Sequence, residues 1–221
     1  MFKEIYYKIE QKFPLIKIAK KLYIKTRSPR RYKYLLESIK NHKVKKIMEI
    51  GTWNGNHALQ MIEEAKKYSP LEAIQYYGFD LFESLDNKTT LKEFAKTPPL
   101  LEVVRKKLEK TNVDINLYQG FTQDTLPRAI SELPKMDFVF IDGGHSIETI
   151  KSDWQYVKEV MDKDTIVIFD DYWNIDNSGC KEVIEDVDKT KFKVTILPIQ
   201  DKFKKKWGTL KINFVKVEMA N

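Results

Sequence analysis

The segment from Lys46 to Gly55 constrains the fold of this chain more than any other. It is an apolar run with an acid at Glu49, followed by a turn that carries glycines at positions 51 and 55. Glycine adopts backbone conformations that other residues avoid, so a strand that ends in glycines can turn sharply and bring its backbone close to a ligand. Helical periodicity follows over 57–67. The segment predicts a strand, a ligand-binding turn and a helix.

The rest of the chain alternates between short apolar runs and helical periodicity, which indicates a parallel sheet covered by helices on both faces. Two consecutive strands at the C-terminal end, 192–198 and 210–218, leave no room for a helix between them and indicate an antiparallel hairpin strand. Residues 84–99 are predicted as a loop or lid. We predict an α/β, Rossmann-like, seven-stranded and mostly parallel sheet. The other predicted strands are 44–50, 73–80, 115–119, 136–142 and 165–170, and the other predicted helices are 100–110, 123–133, 147–161 and 180–187.

Charge divides the chain into two parts. The first 46 of 221 residues contain fifteen Lys or Arg and three Asp or Glu, whereas the remainder is net negative. Apolar residues at helical spacing over 2–25 and again over 32–39 predict a basic helical N-terminal arm over 1–43, before an α/β domain over 44–221. The arm either packs on the domain or across a homo-oligomer interface, or touches an anionic membrane through residues 1–40.

Composition excludes several classes of protein. No run approaches the ~20 apolar residues of a membrane span, and the N-terminus lacks the apolar segment of a signal peptide. The single cysteine, Cys180, excludes an intramolecular disulfide and predicts a cytoplasmic protein, with membrane-peripheral contact left open. The acidic balance beyond the arm argues against a surface that follows a nucleic-acid backbone.

Carboxylates stand at the ends of four of the five strands predicted to be parallel: Glu49, Asp80, Asp142 and the pair Asp170-Asp171. The carboxyl ends of parallel strands meet at one edge of a sheet, where ligands bind. Because unpaired carboxylates repel one another, a cation must share this site. Glu49 would repel a phosphate, whereas S-adenosylmethionine has an ammonium, a sulfonium and ribose hydroxyls. The Asp80 carboxylate can accept hydrogen bonds from both ribose hydroxyls.

Aromatic residues beside these turns can sandwich an adenine or pack in the core. They are Trp53, Phe79, Phe82 and Phe121. Tyr172 and Trp173 can shape an acceptor pocket or pack the loop after the fifth predicted strand.

Three carboxylates, Asp142, Asp170 and Asp171, can supply the oxygen ligands that Mg²⁺ or a similar divalent cation prefers. The alternative for Asp170 and Asp171 is a helix cap or a turn, and for Asp142 it is a cap of the following helix. His145 follows a Gly-Gly turn after Asp142, and its ordinary pKa suits a general base. The alternative for His145 is a helix cap or a solvent-exposed side chain.

Residues 44–218 resemble class I S-adenosylmethionine-dependent methyltransferases. More narrowly, they resemble the metal-dependent sugar O-methyltransferase group that includes macrocin O-methyltransferase and the cephalosporin hydroxylase-type proteins. Several members of that group have Glu-Asp where this chain has Asp170-Asp171. The segments that carry the resemblance are Glu49–Gly55, Tyr77–Asp80, Gly120–Pro127, Phe138–Ser146 and Ile166–Tyr172.

The resemblance implies a metal on Asp142, Asp170 and Asp171, and catalysis by His145 with Asp142. The expected reaction is O-methylation of a hydroxyl on a small-molecule or glycan-type acceptor. Methylation of nucleic acid and a non-catalytic cofactor-binding role are the alternatives; the basic arm favours the first of these and the acidic remainder disfavours it. The predicted cofactor contacts are Glu49, Gly51, Thr52, Trp53, Gly55, Asp80, Phe82, Gly120, Phe121, Thr122 and Asp142.

Overall fold

The computed structural model describes residues 29–93 and 98–220, so the predicted helix over 2–25 lies outside the described residues. Within them, a single sheet is flanked by helices and short 3-10 turns. The strands are β1 Lys46–Ile50, β2 Gln75–Asp80, β3 Asp114–Gln119, β4 Phe138–Ile141, β5 Ile166–Trp173, β6 Phe192–Ile196, β7 Asp201–Lys205 and β8 Gly208–Met219. The α-helices are α1 Lys33–His42, α2 Asn56–Ala65, α3 Asn87–Lys92, α4 Leu101–Leu108, α5 Thr122–Ala129, α6 Ile147–Val157 and α7 Lys181–Glu185.

The strand order is β3-β2-β1-β4-β5-β8-β6, and β7 pairs with the free part of β8. The first five strands in this order, β3, β2, β1, β4 and β5, are parallel to one another. Strand β8 runs antiparallel to β5, β6 and β7. The predicted fold is therefore confirmed, with one strand more than the seven predicted. Strand β7 was missed because its sequence, Asp-Lys-Phe-Lys-Lys, has a single apolar residue and lacks the alternation that marks a half-buried strand.

Successive residues of the central strands enter different cores, as the pleat requires. Ile47 of β1 packs on the face that carries α1, α2 and α4, whereas Met48 packs on the face that carries α5, α6 and α7. Cys180 is buried in the second of these cores, as expected for a packing role.

Helix α1 belongs to the α/β core. Its residues Leu35 and Ile39 are 2% and 0% exposed and pack with α2 and the sheet. Burying each such side chain stabilises the fold by about 1.5–3 kcal/mol. The end of the predicted arm therefore packs on the domain, and the boundary predicted at residue 43 falls between two elements that share one core.

The segment predicted as a loop or lid contains regular structure. A 3-10 turn over Phe82–Ser84 precedes α3, whose first turn is capped by the Asp86 carboxylate, which accepts a 2.7 Å hydrogen bond from the Thr89 amide. No helix built from residues 29–93 and 98–220 is long and apolar enough to cross a membrane.

Candidate functional site

A cleft of about 740 Å³ opens at the carboxyl ends of β1 to β5. Its wall includes most of the predicted site residues, contributed by five strand ends that are distant in sequence. Three of the predicted cofactor contacts, Glu49, Gly55 and Phe82, do not line it. The predicted residues that line the cleft are Gly51, Thr52, Trp53, Asp80, Gly120, Phe121, Thr122, Asp142, His145, Asp170 and Asp171.

The turn after β1 requires glycine at position 51. Gly51 has φ +90°, and a Cβ on it would lie 1.9 Å from the carbonyl oxygen of Asp142. Its amide donates a 2.8 Å hydrogen bond to the carbonyl of Phe79. The backbone of this turn is therefore pressed against the ends of β2 and β4, and it forms a wall of the cleft with no side chain.

Asp80 is held by two backbone amides at the end of β2. The amides of Trp53 and Phe82 each donate a 2.7 Å hydrogen bond, one to each carboxylate oxygen. Burial raises the pKa of Asp80, and these amides partly offset that increase. Each oxygen keeps a further lone pair, so the carboxylate is an oriented acceptor at the cleft wall.

Glu49 lies behind the turn rather than in the cleft. It is 1% exposed and accepts a hydrogen bond from the hydroxyl of Tyr76, which also lies 3.2 Å from the Thr52 hydroxyl. Burial raises the pKa of Glu49 to about 8, against the opposing effect of Tyr76. The structure thus makes Glu49 a support for the turn.

Two of the four aromatic candidates are exposed at the cleft. Trp53 and Phe121 are 37% and 44% exposed and line it. Phe79 also lines it, but its ring stacks on Tyr118 with centroids 4.5 Å apart. Phe82 is fully buried in the core. Among these four candidates, Trp53 and Phe121 are therefore the two that expose a large part of their side chains at the cleft.

Asp142, His145 and Asp171 form a cluster of potential metal ligands, with one atom of each lying within 4.8 Å of the others. The imidazole Nε2 of His145 lies 2.8 Å from a carboxylate oxygen of Asp171. The other ring nitrogen, Nδ1, hydrogen-bonds the carbonyl of Glu93. Asp171 has φ +58° at a bulge in β5, and a bulge of this kind redirects a side chain.

Burial and charge together shift two pKa values in this cluster. Burial, followed by the nearby Asp170 and Asp171, raises the pKa of Asp142 well above its usual range. For His145, burial lowers the pKa, but the hydrogen bond and charge of Asp171 outweigh it and raise the pKa to about 9. Without a bound cation, His145 is therefore protonated at neutral pH.

Asp170 is hydrogen-bonded to Arg31, a residue that the sequence analysis did not identify. Two guanidinium nitrogens of Arg31 donate to its two oxygens at 2.9 and 2.8 Å, and the Tyr32 hydroxyl donates at 2.9 Å. A third Arg31 nitrogen donates to Asp201 at 3.1 Å. Arg31 was missed because it is one of many basic residues in its region and lies 139 positions from Asp170.

Glu93 is a second residue that the sequence did not single out. Its carboxylate accepts hydrogen bonds from the amide and hydroxyl of Ser146, at 2.7 and 2.8 Å, and from the Thr149 hydroxyl at 3.0 Å. Together with its carbonyl, which binds His145, these contacts fix the Gly-Gly-His turn. Acidic residues are common on surfaces, and no spacing distinguishes this one.

The β5 side of the cleft is lined by stacked rings. The Tyr32 and His57 rings lie 4.2 Å apart and are parallel within 5°. His145 stacks on Trp173 with centroids 5.3 Å apart, and Trp173 lines the cleft, whereas Tyr172 packs against the core. Lys205 of β7 also lines this side.

Comparison with known proteins agrees with this architecture. An O-methyltransferase from Bacillus cereus in complex with SAH is 17% identical, with a TM-score of 0.59 over 87% of this chain and 82% of that one. The O-methyltransferase TomG from Streptomyces achromogenes, involved in tomaymycin synthesis and in complex with SAM, is 14% identical, with a TM-score of 0.58 over 86% and 79%. An rRNA methylase from Streptococcus thermophilus is 10% identical, with a TM-score of 0.60 over 87% and 98%.

These structural likenesses show a shared fold. No curated protein matches the sequence. The family described as "Methyltransferase domain" matches residues 48–172, which is more than half of the chain and includes every predicted site residue. The chain therefore belongs to this family and is an S-adenosylmethionine-dependent methyltransferase of class I.

Proposed function

We propose that this enzyme is an O-methyltransferase that acts on a hydroxyl of a small-molecule or glycan-type acceptor, with a divalent cation at the β4 and β5 ends. The observation that carries the proposal is the cluster of Asp142, His145 and Asp171 in the same cleft as the glycine turn and Asp80. When bound, S-adenosylmethionine would supply the methyl group, and a divalent cation would supply positive charge that lowers the pKa of the acceptor hydroxyl.

The cofactor fits the β1 and β2 side. Gly51 lets the turn after β1 pack against the Asp142 backbone and line the cleft without a side chain, and Asp80 presents oriented oxygens to ribose hydroxyls. Trp53 and Phe121 supply exposed rings for the adenine. Two predicted contacts, Gly55 and Phe82, would act indirectly: Gly55 precedes α2 with φ +65°, and Phe82 donates its amide to Asp80.

The charges of the cluster fit a divalent cation. Four carboxyl groups, from Asp142, Asp170, Asp171 and Asp201, lie around two cationic side chains, Arg31 and His145, and burial together with the charges of Asp170 and Asp171 raises the pKa of Asp142. A divalent cation would stabilise the ionised form of Asp142 and offset its repulsion with the neighbouring aspartates. Because Arg31 engages both oxygens of Asp170, the proposed ligands are Asp142 and Asp171, and Asp170 would support them from behind.

His145 has two roles open to it. Its Nδ1 faces the Glu93 carbonyl, which leaves Nε2 directed at Asp171 and the cluster. A histidine oriented in this way can act as a third ligand, and imidazole in the set favours Mn²⁺ or another first-row ion over Mg²⁺. Alternatively, a cation on Asp142 and Asp171 would displace the proton from His145, which could then accept the acceptor's proton as the base.

A binding measurement and a turnover assay test the proposal. Calorimetry should detect binding of S-adenosylmethionine and of its demethylated product. Turnover on a panel of hydroxylated acceptors should stop after exhaustive chelation and return with Mg²⁺ or Mn²⁺. Full turnover after chelation would refute the metal. His145→Gln separates the two roles: it should weaken Mn²⁺ binding if His145 is a ligand, and leave it unchanged while turnover falls if His145 is the base.

A further inference from the structure

The hairpin formed by β7 and the start of β8 has an unusual concentration of positive charge. Between Lys202 and Lys211 there are five lysines and no acidic residue. All five lysines are exposed, and none forms an ion pair with a residue that the structure describes. At the turn, Trp207 is 59% exposed. The hairpin thus combines exposed positive charge with an exposed ring at its tip.

Strand pairing places like charges against each other. Lys202 lies directly opposite Lys211, and Lys204 lies on the same face one pair further along, opposite Thr209. Like charges directly across a strand pair destabilise it unless an anion lies between them. Lysines do protect an edge strand such as β7 from pairing with other chains. That role does not require an exposed tryptophan at the turn.

The opposite face of the hairpin leads into the cleft. Asp201 and Phe203 are buried or half-buried there, and Asp201 is the residue that Arg31 binds. Lys205, on this face, lines the cleft itself. The contacts of Asp201 with Arg31 and with the amides of Arg30 and Arg31 anchor the hairpin at its base. Its charged tip therefore stands at the mouth of the cleft.

We propose that this hairpin docks the enzyme on an anionic bilayer, with Trp207 in the headgroup layer and the lysines on anionic lipids. Lysines lie on both faces of the ribbon and at its turn, so a small anionic ligand would meet only some of them, whereas a headgroup layer surrounds the tip. Tryptophan favours the boundary between water and lipid. Nucleic acid fits less well, because the hairpin offers one exposed ring and the residues beyond the arm are net negative.

The test is co-sedimentation of the full chain with vesicles of phosphatidylserine and phosphatidylcholine, and with phosphatidylcholine alone. The hairpin variant Lys202→Gln/Lys204→Gln/Lys211→Gln spares Lys205, which lines the cleft. The control variant Lys163→Gln/Lys189→Gln/Lys193→Gln removes the same charge from three exposed lysines elsewhere. Lys163 precedes β5, Lys189 precedes β6 and Lys193 lies within β6. Each lysine near an anionic surface should strengthen vesicle binding by about fivefold. The three substitutions of the hairpin variant should therefore reduce partitioning onto anionic vesicles by on the order of 100-fold, and the control should lose far less.

Three results would overturn the proposal. The full chain does not sediment with anionic vesicles; the hairpin variant and the control lose the same amount, which would assign binding to overall charge or to residues 1–28; or a single-stranded RNA binds and loses affinity in the hairpin variant while vesicles do not bind. Tryptophan emission gives an independent measurement. Anionic vesicles should shift it to shorter wavelength in the unmodified chain, and Trp207→Phe should remove most of that shift.

Discussion

Arg31 holds Asp170 by two parallel N–H···O hydrogen bonds of 2.9 and 2.8 Å, and both side chains are almost completely buried at the cleft. Arginine matches a carboxylate in this two-pronged geometry better than lysine does. The pair ties the residues before α1 to the end of β5, and through Asp201 it also reaches β7. One side chain from near the N-terminus thereby connects three parts of the site.

Removing that side chain should destabilise the fold. Arg31→Leu would leave Asp170 and Asp201 buried without their partner, and breaking a buried pair in this way costs about 3–5 kcal/mol of unfolding free energy. Urea denaturation measures it. Lys33→Leu is the control, because Lys33 forms an exposed pair with Glu37 at 3.6 Å that contributes less than about 1 kcal/mol. Equal effects of the two substitutions would contradict a structural role for Arg31.

The two neighbouring aspartates should differ in metal binding. Asp171→Asn removes a proposed ligand and should weaken Mn²⁺ binding by about 100-fold or more, whereas Asp170→Asn should weaken it by about tenfold, as for a residue that supports a ligand. Titration of the metal alone, followed by electron paramagnetic resonance, measures both without turnover. If Asp170→Asn causes the larger loss, Asp170 is itself a ligand and Arg31 must move away on metal binding.

Cofactor affinity should depend on Asp80. Asp80→Asn keeps the shape of the side chain but replaces a charged acceptor of ribose hydroxyls, so the affinity for S-adenosylmethionine should fall by roughly 10- to 100-fold, equivalent to about 1.5–3 kcal/mol. Calorimetry measures it. Asp114→Asn, at the opposite end of the neighbouring strand β3, is the matched control. Unchanged affinity in Asp80→Asn would disprove the assignment.

Glu49 should make stability depend on pH. Its pKa rises from 4.5 to about 8 on folding, so the folded state retains the proton more strongly. The stabilisation that protonated Glu49 adds to the free energy of unfolding is complete below pH 4.5, and it is lost as the pH rises through about 8. The stability of the wild type relative to Glu49→Gln should therefore fall by about 1.4 kcal/mol per pH unit across this window. Denaturation at several pH values checks this, with Glu72→Gln as the exposed control. A difference that does not vary with pH would mean that Glu49 ionises normally.

The sequence was sufficient to predict the parallel part of the sheet and the edge where its site lies. Local signals determine both: apolar periodicity marks strands and helices, and glycine at position 51 marks a turn that no other residue can make. The family match over 48–172 confirms the class of enzyme. Asp80, Asp142 and His145 could be placed in one cleft because the carboxyl ends of parallel strands must meet.

Only the tertiary structure decided which charges neutralise one another. Asp170 and Asp171 are adjacent in sequence, yet the bulge in β5 sends one to Arg31 and the other to His145. Glu49 stands at a strand end like Asp80, but it is buried behind the turn against Tyr76. Partners such as Arg31 and Glu93 lie 139 and 52 positions from the residues they contact. Long-range pairing of this kind depends on how the helices and strands pack, and no local pattern in the sequence encodes it.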